Sequence, residues 1–319
     1  MIKPWDSKFK VNSALYDLND RGAKAIYNFI KQSTICQNYT RILEIQELKV
    51  HTDLLNDLGP DIKNIKELLN ELYGFVILKP IDDLNIFEQA MVPWLIAQSM
   101  GETPGQNYNN DKIYIVNDVG GKMEHGYRYS RTNQGGSIHT DGVNVKKPFD
   151  YFLLHVISQG LLGGESIMVN GLNVYNYLKE NIPDVITILS KNFLWEYKGV
   201  QKDQYYNEPV LKLVNDIPMW RYLRNYIEEA SFKKGINLSP EKIWAMDCLD
   251  SVLESSDFQL RYKLNNGETV FFNDRNIFHG RGPYVDAKGS KYFSDLNKKR
   301  ITDAVLKRTG LRIWINITY

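Results

Sequence analysis

Two copies of the tripeptide His-Thr-Asp constrain which parts of this chain can meet in space. One is His51-Thr52-Asp53 in LKVHTDLLND, and the other is His139-Thr140-Asp141 in GGSIHTDGVN. Residues two positions apart point about 200° apart on a helix, whereas on a strand they project from the same face. The first copy precedes a leucine-rich helical segment, and the second follows two glycines in an extended context. The second copy alone is therefore placed to chelate one metal ion.

A third ligand is needed, and the segment ETVFFNDRNIFHGRGPY supplies His279, which follows an apolar strand pattern. Five histidines and 38 acidic residues give about 0.6 His-x-Asp/Glu pairs by chance, so neither motif is informative alone. By itself, His279 fits a buried core histidine equally well. Taken together, His139, Asp141 and His279 form a facial triad, which suits Fe(II) and leaves three adjacent positions open.

The pattern of elements indicates a mainly β fold with helices (α+β). Short strands that are far apart in sequence and separated by helices favour an antiparallel double-sheet barrel over a parallel βαβ sheet. Asn266-Gly267 predicts a hairpin turn. Strands are predicted at 75–78, around His139, and over DKIYIVND, YFLLHVI, ESIMVNG, FQLRYKL, ETVFFND and LRIWINITY. Helices are predicted over 12–58, over a segment that stops at Gly74, and over 85–100, 171–191, 219–233 and 239–256.

Composition limits the class of partner. The 319 residues are 43% hydrophobic, enough for one large domain or two small ones, and the net charge of +1 argues against nucleic acid or an anionic membrane. The N-terminus lacks the apolar core of a signal peptide, and the longest apolar stretch is too short to span a bilayer. Cys36 and Cys248 are too few for a disulfide framework. We therefore expect a cytoplasmic protein that acts on a small molecule.

The motifs HTDG, GGES, FFNDRNIFHGRGPY and RTGLR, in this order, resemble those of Fe(II)/2-oxoglutarate-dependent oxygenases of the taurine dioxygenase and clavaminate synthase type. The resemblance covers about residues 70–319 and implies a double-stranded β-helix, a distorted jelly roll with helices packed outside. The expected organisation is one oxygenase domain over 1–319. Its parts are a helical N-terminal extension over 1–70, a core over 71–319 and a helical insert at about 171–256.

The same resemblance implies roles for individual residues. His139, Asp141 and His279 match the iron ligands, and Ser166 of GGES matches the residue that helps to bind the 2-oxoglutarate carboxylate. Ser166 lies 27 residues after His139. The residue 27 positions after His51 is Leu78, inside an apolar strand, which again favours the second HTD copy.

Arg308 and Arg312 of RTGLR match the arginine pattern that binds 2-oxoglutarate in this family. A distal carboxylate needs a buried, always charged and bidentate partner, and arginine is such a residue. The spacing from His279 is longer than in the family, so either an insertion separates them or Arg300 or Arg281 takes the role. The strand-like LRIWINITY that follows favours Arg308.

The extra residues, about 282–307, are predicted to cover the cleft as a lid, with Tyr284 or Tyr292 contacting the substrate. A surface excursion without a catalytic role is the alternative, and limited proteolysis with and without substrate would distinguish the two.

Substrate recognition is predicted for Arg128, Arg131 and Asn133, which alternate with tyrosines in GYRYSRTNQGG, and for Arg221 in PMWRYLRNYIEEA. These side chains suit a small polar, amino-acid-like substrate. Each also fits a solvated loop or helix surface.

The resemblance implies hydroxylation of an unactivated C–H bond, with Fe(II) as cofactor, 2-oxoglutarate and O2 as co-substrates, and succinate and CO2 as products. Desaturation or cyclisation at the same site is an alternative. Another is a non-catalytic metal-binding jelly roll, which would need neither Arg308 nor Ser166. Halogenases of this type replace the carboxylate ligand with a small residue, so Asp141 argues against halogenation.

Overall fold

The computed structural model describes residues 2–34, 42–107, 109–125, 128–198, 204–293 and 304–317. Eight α-helices lie wholly within these residues: α1 Asp20–Gln32, α2 Thr52–Glu67, α3 Ile86–Gln89, α4 Val92–Met100, α5 Gly171–Asn181, α6 Pro183–Leu189, α7 Arg224–Lys234 and α8 Pro240–Glu254. The predicted start of α8 is confirmed, because Ser239 accepts a hydrogen bond from the backbone N–H of Lys242 and Pro240 occupies the first turn. Within the described residues, no helix is both long and apolar enough to cross a membrane.

The same described residues contain fifteen strands. They are β1 Leu15–Tyr16, β2 Phe75–Leu78, β3 Tyr114–Asn117, β4 Tyr151–Ser158, β5 Leu162–Gly163, β6 Ser166–Asn170, β7 Asn192–Glu196, β8 Tyr205–Pro209, β9 Leu211–Val214, β10 Ile217–Trp220, β11 Gln259–Tyr262, β12 Thr269–Asn273, β13 Ile277–Arg281, β14 Tyr284–Val285 and β15 Thr309–Ile315.

Two sheets organise the site. One has six strands in the order β1-β2-β12-β4-β15-β3, and the other has three in the order β11-β6-β13. Every pairing in them is antiparallel except that of β1 with β2. Neighbouring strands come from distant parts of the chain, so the expectation of antiparallel sheets with inserted helices is confirmed.

The space between the sheets holds one apolar core. Phe152 and Phe272 of the larger sheet pack in the same cluster as Met168 and Leu260 of the smaller sheet. The rings of Phe152 and Phe272 stack with centroids 4.8 Å apart. Aromatic pairs of this kind add to the free energy gained by burying their area, and both rings also contact the imidazole of His279.

The opposite face of the large sheet is covered by the N-terminal helices. Leu153 and Leu311 of the sheet share a buried cluster with Leu58 of α2 and Trp94 of α4. Side chains alternate between the two faces along a strand, so β4 contributes Phe152 to one core and Leu153 to the other. A third cluster, around Trp220 and Phe278, joins the residues of the predicted insert to β13.

The prediction of helix throughout 12–58 was wrong. The segment contains a 3-10 turn and β1 before α1, and α1 starts where Asn19 accepts hydrogen bonds from the backbone N–H groups of Arg21 and Gly22. The Asn19 cap therefore marks the start of α1, a boundary that the apolar spacing did not predict.

The predicted helical insert, about 171–256, also contains four strands, β7 to β10. Asn215 and Asp216 take left-handed conformations, with φ of 50° and 62°, in the turn between β9 and β10. Paired left-handed residues are typical of two-residue hairpins. The Asn-Asp pair was therefore an available signal for this ribbon.

The hairpin prediction at Asn266-Gly267 was also wrong. Gly267 is in a turn with φ +86°, but β11 and β12 on either side belong to different sheets. The turn therefore moves the chain from one sheet to the other.

The predicted lid lies partly outside the described residues, at 294–303. Before that point, β14 pairs with β5, and Tyr284 is buried. Cys36 lies outside the described residues, and Cys248 is a half-buried free thiol.

Candidate metal and co-substrate site

The two distant histidine motifs meet through the backbone. The N–H of His139 donates to the carbonyl of His279 at 2.9 Å, and the N–H of His279 donates back at 2.8 Å. This one bridge replaces the strand predicted around His139. Such a reciprocal pair sets the two residues directly opposite each other, and the imidazole centroids are 4.5 Å apart.

Asp141 completes the cluster. Its Oδ1 lies 3.6 Å from His139 Nε2 and 4.0 Å from His279 Nε2, and the three ligand atoms all lie within 4.8 Å of one another. Among the residues that the structure describes, this is the one group of three or more His, Cys, Asp or Glu side chains placed to hold a metal ion. Two imidazoles and one carboxylate fit Fe(II).

The other HTD copy behaves as expected for a helix start. His51 is the N-cap of α2, and Asp53 lies in its first turn. Both residues are exposed.

The second carboxylate oxygen of Asp141 is held by cationic and aromatic donors. Arg312 Nη1 donates to Oδ2 at 2.8 Å, and Trp314 Nε1 donates to the same oxygen at 3.3 Å. Arg312 is fixed in turn by Nε, which donates to Gln106 Oε1. Burial by itself raises the pKa of Asp141, but Arg312 and the two histidines hold it well below its usual range. Arg312 thus orients Oδ1 toward the histidines.

Each histidine also has a polar group at its other ring nitrogen. His139 Nδ1 lies 2.8 Å from the carbonyl of Ser137. His279 Nδ1 faces Oδ1 of the fully buried Asp274 at 3.5 Å, and the same oxygen accepts the backbone N–H of Asp141. Groups at Nδ1 favour the ring orientation in which Nε2 is the metal ligand, and Nε2 of both rings lies near Asp141 Oδ1. The sequence signal for Asp274 was its place five residues before His279 on the same apolar segment.

Burial, together with the nearby Asp141, raises the pKa of Asp274 well above its usual value. A cation at the three ligands acts in the opposite direction, because it stabilises the carboxylate form. A bound metal would therefore favour the ionised form of Asp274.

We expect Asp274→Asn to weaken Fe(II) binding by about 10- to 100-fold, because the amide cannot supply the negative charge that faces His279 Nδ1. Metal affinity measured anaerobically by competition with a chelating dye checks this. Asp61→Asn is the matched control, since Asp61 is equally buried but accepts its hydrogen bonds from Tyr16 and Asn19. Equal Fe(II) affinity in the Asp274 variant and the wild type would contradict the role.

A narrow cavity beside the three ligands contains Ser166, Arg281 and Arg308, with Phe152 and Leu154 as apolar walls. Arg308 is 1% exposed and Arg281 is 6% exposed. In both arginines, Nε and Nη1 lack a hydrogen-bond partner among the described residues. Burial and the neighbouring Arg281 lower the pKa of Arg308 to about 10.

The GGES motif passes directly under Arg308. Gly163 and Gly164 have φ of +70° and +79°, and a Cβ at Gly164 would lie 3.1 Å from Arg308 Nε. Glycine permits both the left-handed backbone and this close approach. The turn then leads into β6, where Ser166 lies opposite Arg281 of β13.

A larger cavity of about 590 Å³ opens beside His139 and Asp141. Its wall includes Arg128, Tyr129, Ser130, Lys198, Glu229 and Trp314. The Tyr129 hydroxyl lies 3.2 Å from His139 Nε2, so this residue, which the sequence offered only as part of an aromatic and basic stretch, faces the metal position.

Arg128 was predicted to bind substrate and lies on this wall. Three other residues with the same prediction do not line it: Arg131, Asn133 and Arg221. Arg131 donates to the carbonyl of Ile115 and to Asn117 Oδ1, and the Asn133 carbonyl accepts from Tyr284 N–H. Arg221 is buried and donates to the carbonyls of Val145 and Lys146.

The two tyrosines of the extra segment contact cations. The Tyr284 ring lies beside Arg281 and Arg308. Nζ of Lys307 lies 4.0 Å from the ring centroid of Tyr292.

Residues 44–294 match the family model described as taurine catabolism dioxygenase TauD, TfdA family. The chain belongs to this family. This confirms the resemblance and the enzyme class that it implies, an Fe(II)- and 2-oxoglutarate-dependent oxygenase.

Several named proteins are similar to this chain. The FR-33289 synthase of Streptomyces rubellomurinus is 22% identical over 274 residues, which are 82% of this chain and 75% of the relative. A solved asparagine oxygenase, in complex with Fe(II), 3-hydroxyasparagine and succinate, superposes with a TM-score of 0.67 at 13% identity. That match covers 95% of this chain and 93% of the other. The non-heme iron oxygenase OrfP, solved with iron and alpha-ketoglutaric acid, has a TM-score of 0.63 at 13% identity and covers 95% and 94%.

Proposed function

We propose that this dioxygenase hydroxylates an unactivated C–H bond of a small polar, amino-acid-like substrate and releases succinate and CO2. His139, Asp141 and His279 hold Fe(II), and Arg308 with Ser166 holds 2-oxoglutarate. One observation carries the proposal: two buried guanidinium groups with unpartnered N–H donors lie beside the His/Asp/His cluster. A buried cation without a counter-ion is costly, so this cavity is suited to an anion.

The residues divide the work as follows. Bound Fe(II) supplies the coupling of O2 reduction to the decarboxylation of 2-oxoglutarate. Arg308 neutralises the distal carboxylate of 2-oxoglutarate, and Ser166 donates a hydrogen bond to it. Phe152 and Leu154 line that cavity and exclude water, which strengthens the charge pairing. Arg312 and Trp314 keep Asp141 turned toward the metal position.

The substrate class rests on the larger cavity. A volume of about 590 Å³ lies in the range of small-molecule sites. Arg128, Lys198 and Glu229 give its wall charges of both signs, which suits a substrate with an amino group and a carboxylate. Asparagine oxygenase and OrfP have been solved with hydroxyasparagine and hydroxyarginine, and these are products of the class proposed here.

The architecture belongs to the same proposal. The two facing sheets, with a shared core and helices on the outer face of the larger one, support a double-stranded β-helix. The N-terminal helices share a core with β4 and β15, which supports one domain over 1–319. The lid role of about 282–307 and a cytoplasmic location remain predictions.

The test is anaerobic addition of Fe(II) and then 2-oxoglutarate. We expect a visible charge-transfer absorption band that needs both. Amino acids are then screened for O2-dependent succinate release, and the product mass separates hydroxylation, which adds one oxygen, from desaturation, which removes two hydrogens. A non-catalytic metal-binding protein would give neither the band nor succinate, and that result would overturn the proposal.

A further inference from the structure

Arg281 lines the narrow cavity with Ser166 and Arg308, called here the co-substrate cavity. It also donates a hydrogen bond to the carbonyl of Tyr129, a residue that lines the larger cavity of about 590 Å³, called here the substrate cavity. Arg281 lies on β13 two residues after His279, so both side chains project from the same face of the strand. Its partner across the sheet is Ser166 of β6. The side chain is buried, and its guanidinium is part of the wall of the co-substrate cavity.

One end of this guanidinium holds a neighbouring segment. Nη2 donates to the carbonyls of Tyr129 at 3.3 Å, Thr132 at 3.1 Å and Gln134 at 2.6 Å. The backbone adds a link, because Gly136 N–H donates to the Arg281 carbonyl. Arg281 is thus one anchor of residues 128–134, and the first three of these residues line the substrate cavity.

The guanidinium of Arg281 also packs against the Tyr284 ring. Nε and Nη1 of Arg281 have no hydrogen-bond partner among the described residues, and neither do Nε and Nη1 of Arg308 in the same cavity. Burial is the main cause that lowers the pKa of each arginine, and Arg281 adds to the effect on Arg308. An anion between the two guanidinium groups would relieve their repulsion and fix the orientation of both.

We propose that Arg281 is a positioning residue that couples the two cavities: an anion bound beside Arg308 locks Arg281, and Arg281 then orders residues 128–134 at the wall of the substrate cavity. The inference rests on the proposed function, because that anion is the 2-oxoglutarate carboxylate. It predicts that the co-substrate prepares the substrate site before any substrate binds.

Arg281→Lys separates charge from anchoring. Lysine keeps a positive charge in the cavity, but its single ammonium cannot serve three carbonyls and the anion together. Arg131→Lys is the matched control. Arg131 anchors the same segment through Ile115 and Asn117. It is not among the described residues that line the co-substrate cavity.

The experiment is hydrogen–deuterium exchange of the full chain with Mn(II), which replaces Fe(II) without turnover, with and without 2-oxoglutarate. In the wild type we expect 2-oxoglutarate to slow exchange of the 128–134 amides at least ~5-fold, a shift of about 1 kcal/mol in local opening. Arg281→Lys is compared at a 2-oxoglutarate concentration that calorimetry shows to be saturating for the variant, and it should then lose this protection. Arg131→Lys should exchange faster at the start and keep the protection.

Two results would overturn the coupling: no protection of 128–134 in a wild type that binds 2-oxoglutarate, or full protection in Arg281→Lys. Failure of the wild type to bind 2-oxoglutarate would instead remove the proposed function and the inference with it.

Trypsin cleavage after the exposed Arg128 gives a second measurement without a variant, and 2-oxoglutarate should slow this cleavage. Unchanged cleavage in wild type that binds 2-oxoglutarate would likewise overturn the coupling.

Discussion

An Asp141→Ala variant is expected to lose 2-oxoglutarate-dependent succinate formation by more than ~100-fold, because it removes a metal ligand rather than a group behind one. Two imidazoles alone do not make the facial triad. The loss should appear first as weaker Fe(II) binding and as absence of the charge-transfer band. Anaerobic titration with Fe(II), followed by succinate measurement under O2, checks both.

The variant also leaves Arg312 without its carboxylate partner at 2.8 Å. An unpaired buried charge destabilises the fold, so melting temperature must be recorded alongside. Asp141→Asn keeps the shape and gives a second variant with the same expected loss of iron. Asp53→Ala is the control, because it changes the same tripeptide in the exposed first turn of α2. Unchanged iron binding in Asp141→Ala would refute the ligand assignment.

Replacing Arg308 is expected to weaken 2-oxoglutarate binding without loss of iron. Removing the partner of a buried charged group costs about 2 to 5 kcal/mol, which corresponds to an affinity loss of about 30- to 5,000-fold. Titration of the charge-transfer band with 2-oxoglutarate measures this in Arg308→Ala. Arg300→Ala is the control suggested by the sequence, and Arg300 lies outside the described residues. If that control shows the loss instead, the assignment of the co-substrate arginine is wrong.

Replacing Arg308 should not lower the stability of the ligand-free protein, although it weakens 2-oxoglutarate binding. Arg308 is 1% exposed, with two nitrogens unpartnered among the described residues. A methionine of similar length avoids burying this charge, and such replacements are often neutral or stabilising by about 1 to 4 kcal/mol. We expect Arg308→Met to melt no lower than wild type alone, and to gain no stability from 2-oxoglutarate. Thermal melts with and without 2-oxoglutarate check this, and a large fall without ligand would contradict an anion-binding role.

The sequence by itself determined which HTD copy can hold a metal. The reason is local: residues two apart diverge on the helix that starts after His51 and converge on extended backbone at His139. Glycine pairs and an apolar strand around His279 were equally readable, as was the antiparallel arrangement implied by short, scattered strands. These signals depend on neighbours in the chain, and the fold keeps them.

The tertiary structure alone decided which groups each arginine contacts. Arg308 and Arg312 belong to one motif, yet Arg312 pairs with Asp141, whereas Arg308 has donors that face a cavity. Spacing gives the order of residues along β15 but not what stands opposite them, since the partners of these residues come from elsewhere in the chain. Arg281 received its carbonyl partners in the same way, from a segment far before it in sequence.

The residues predicted to bind substrate and the predicted turns show the same division. Arg128 and Arg131 are chemically alike and three positions apart, but Arg128 lines the large cavity and Arg131 holds β3. Asn266-Gly267 forms its turn as local chemistry requires, while strand partners across the sheets decide that the turn is not a hairpin. Local backbone preference is written in adjacent residues, whereas the pairing of distant side chains depends on packing that only the folded chain creates.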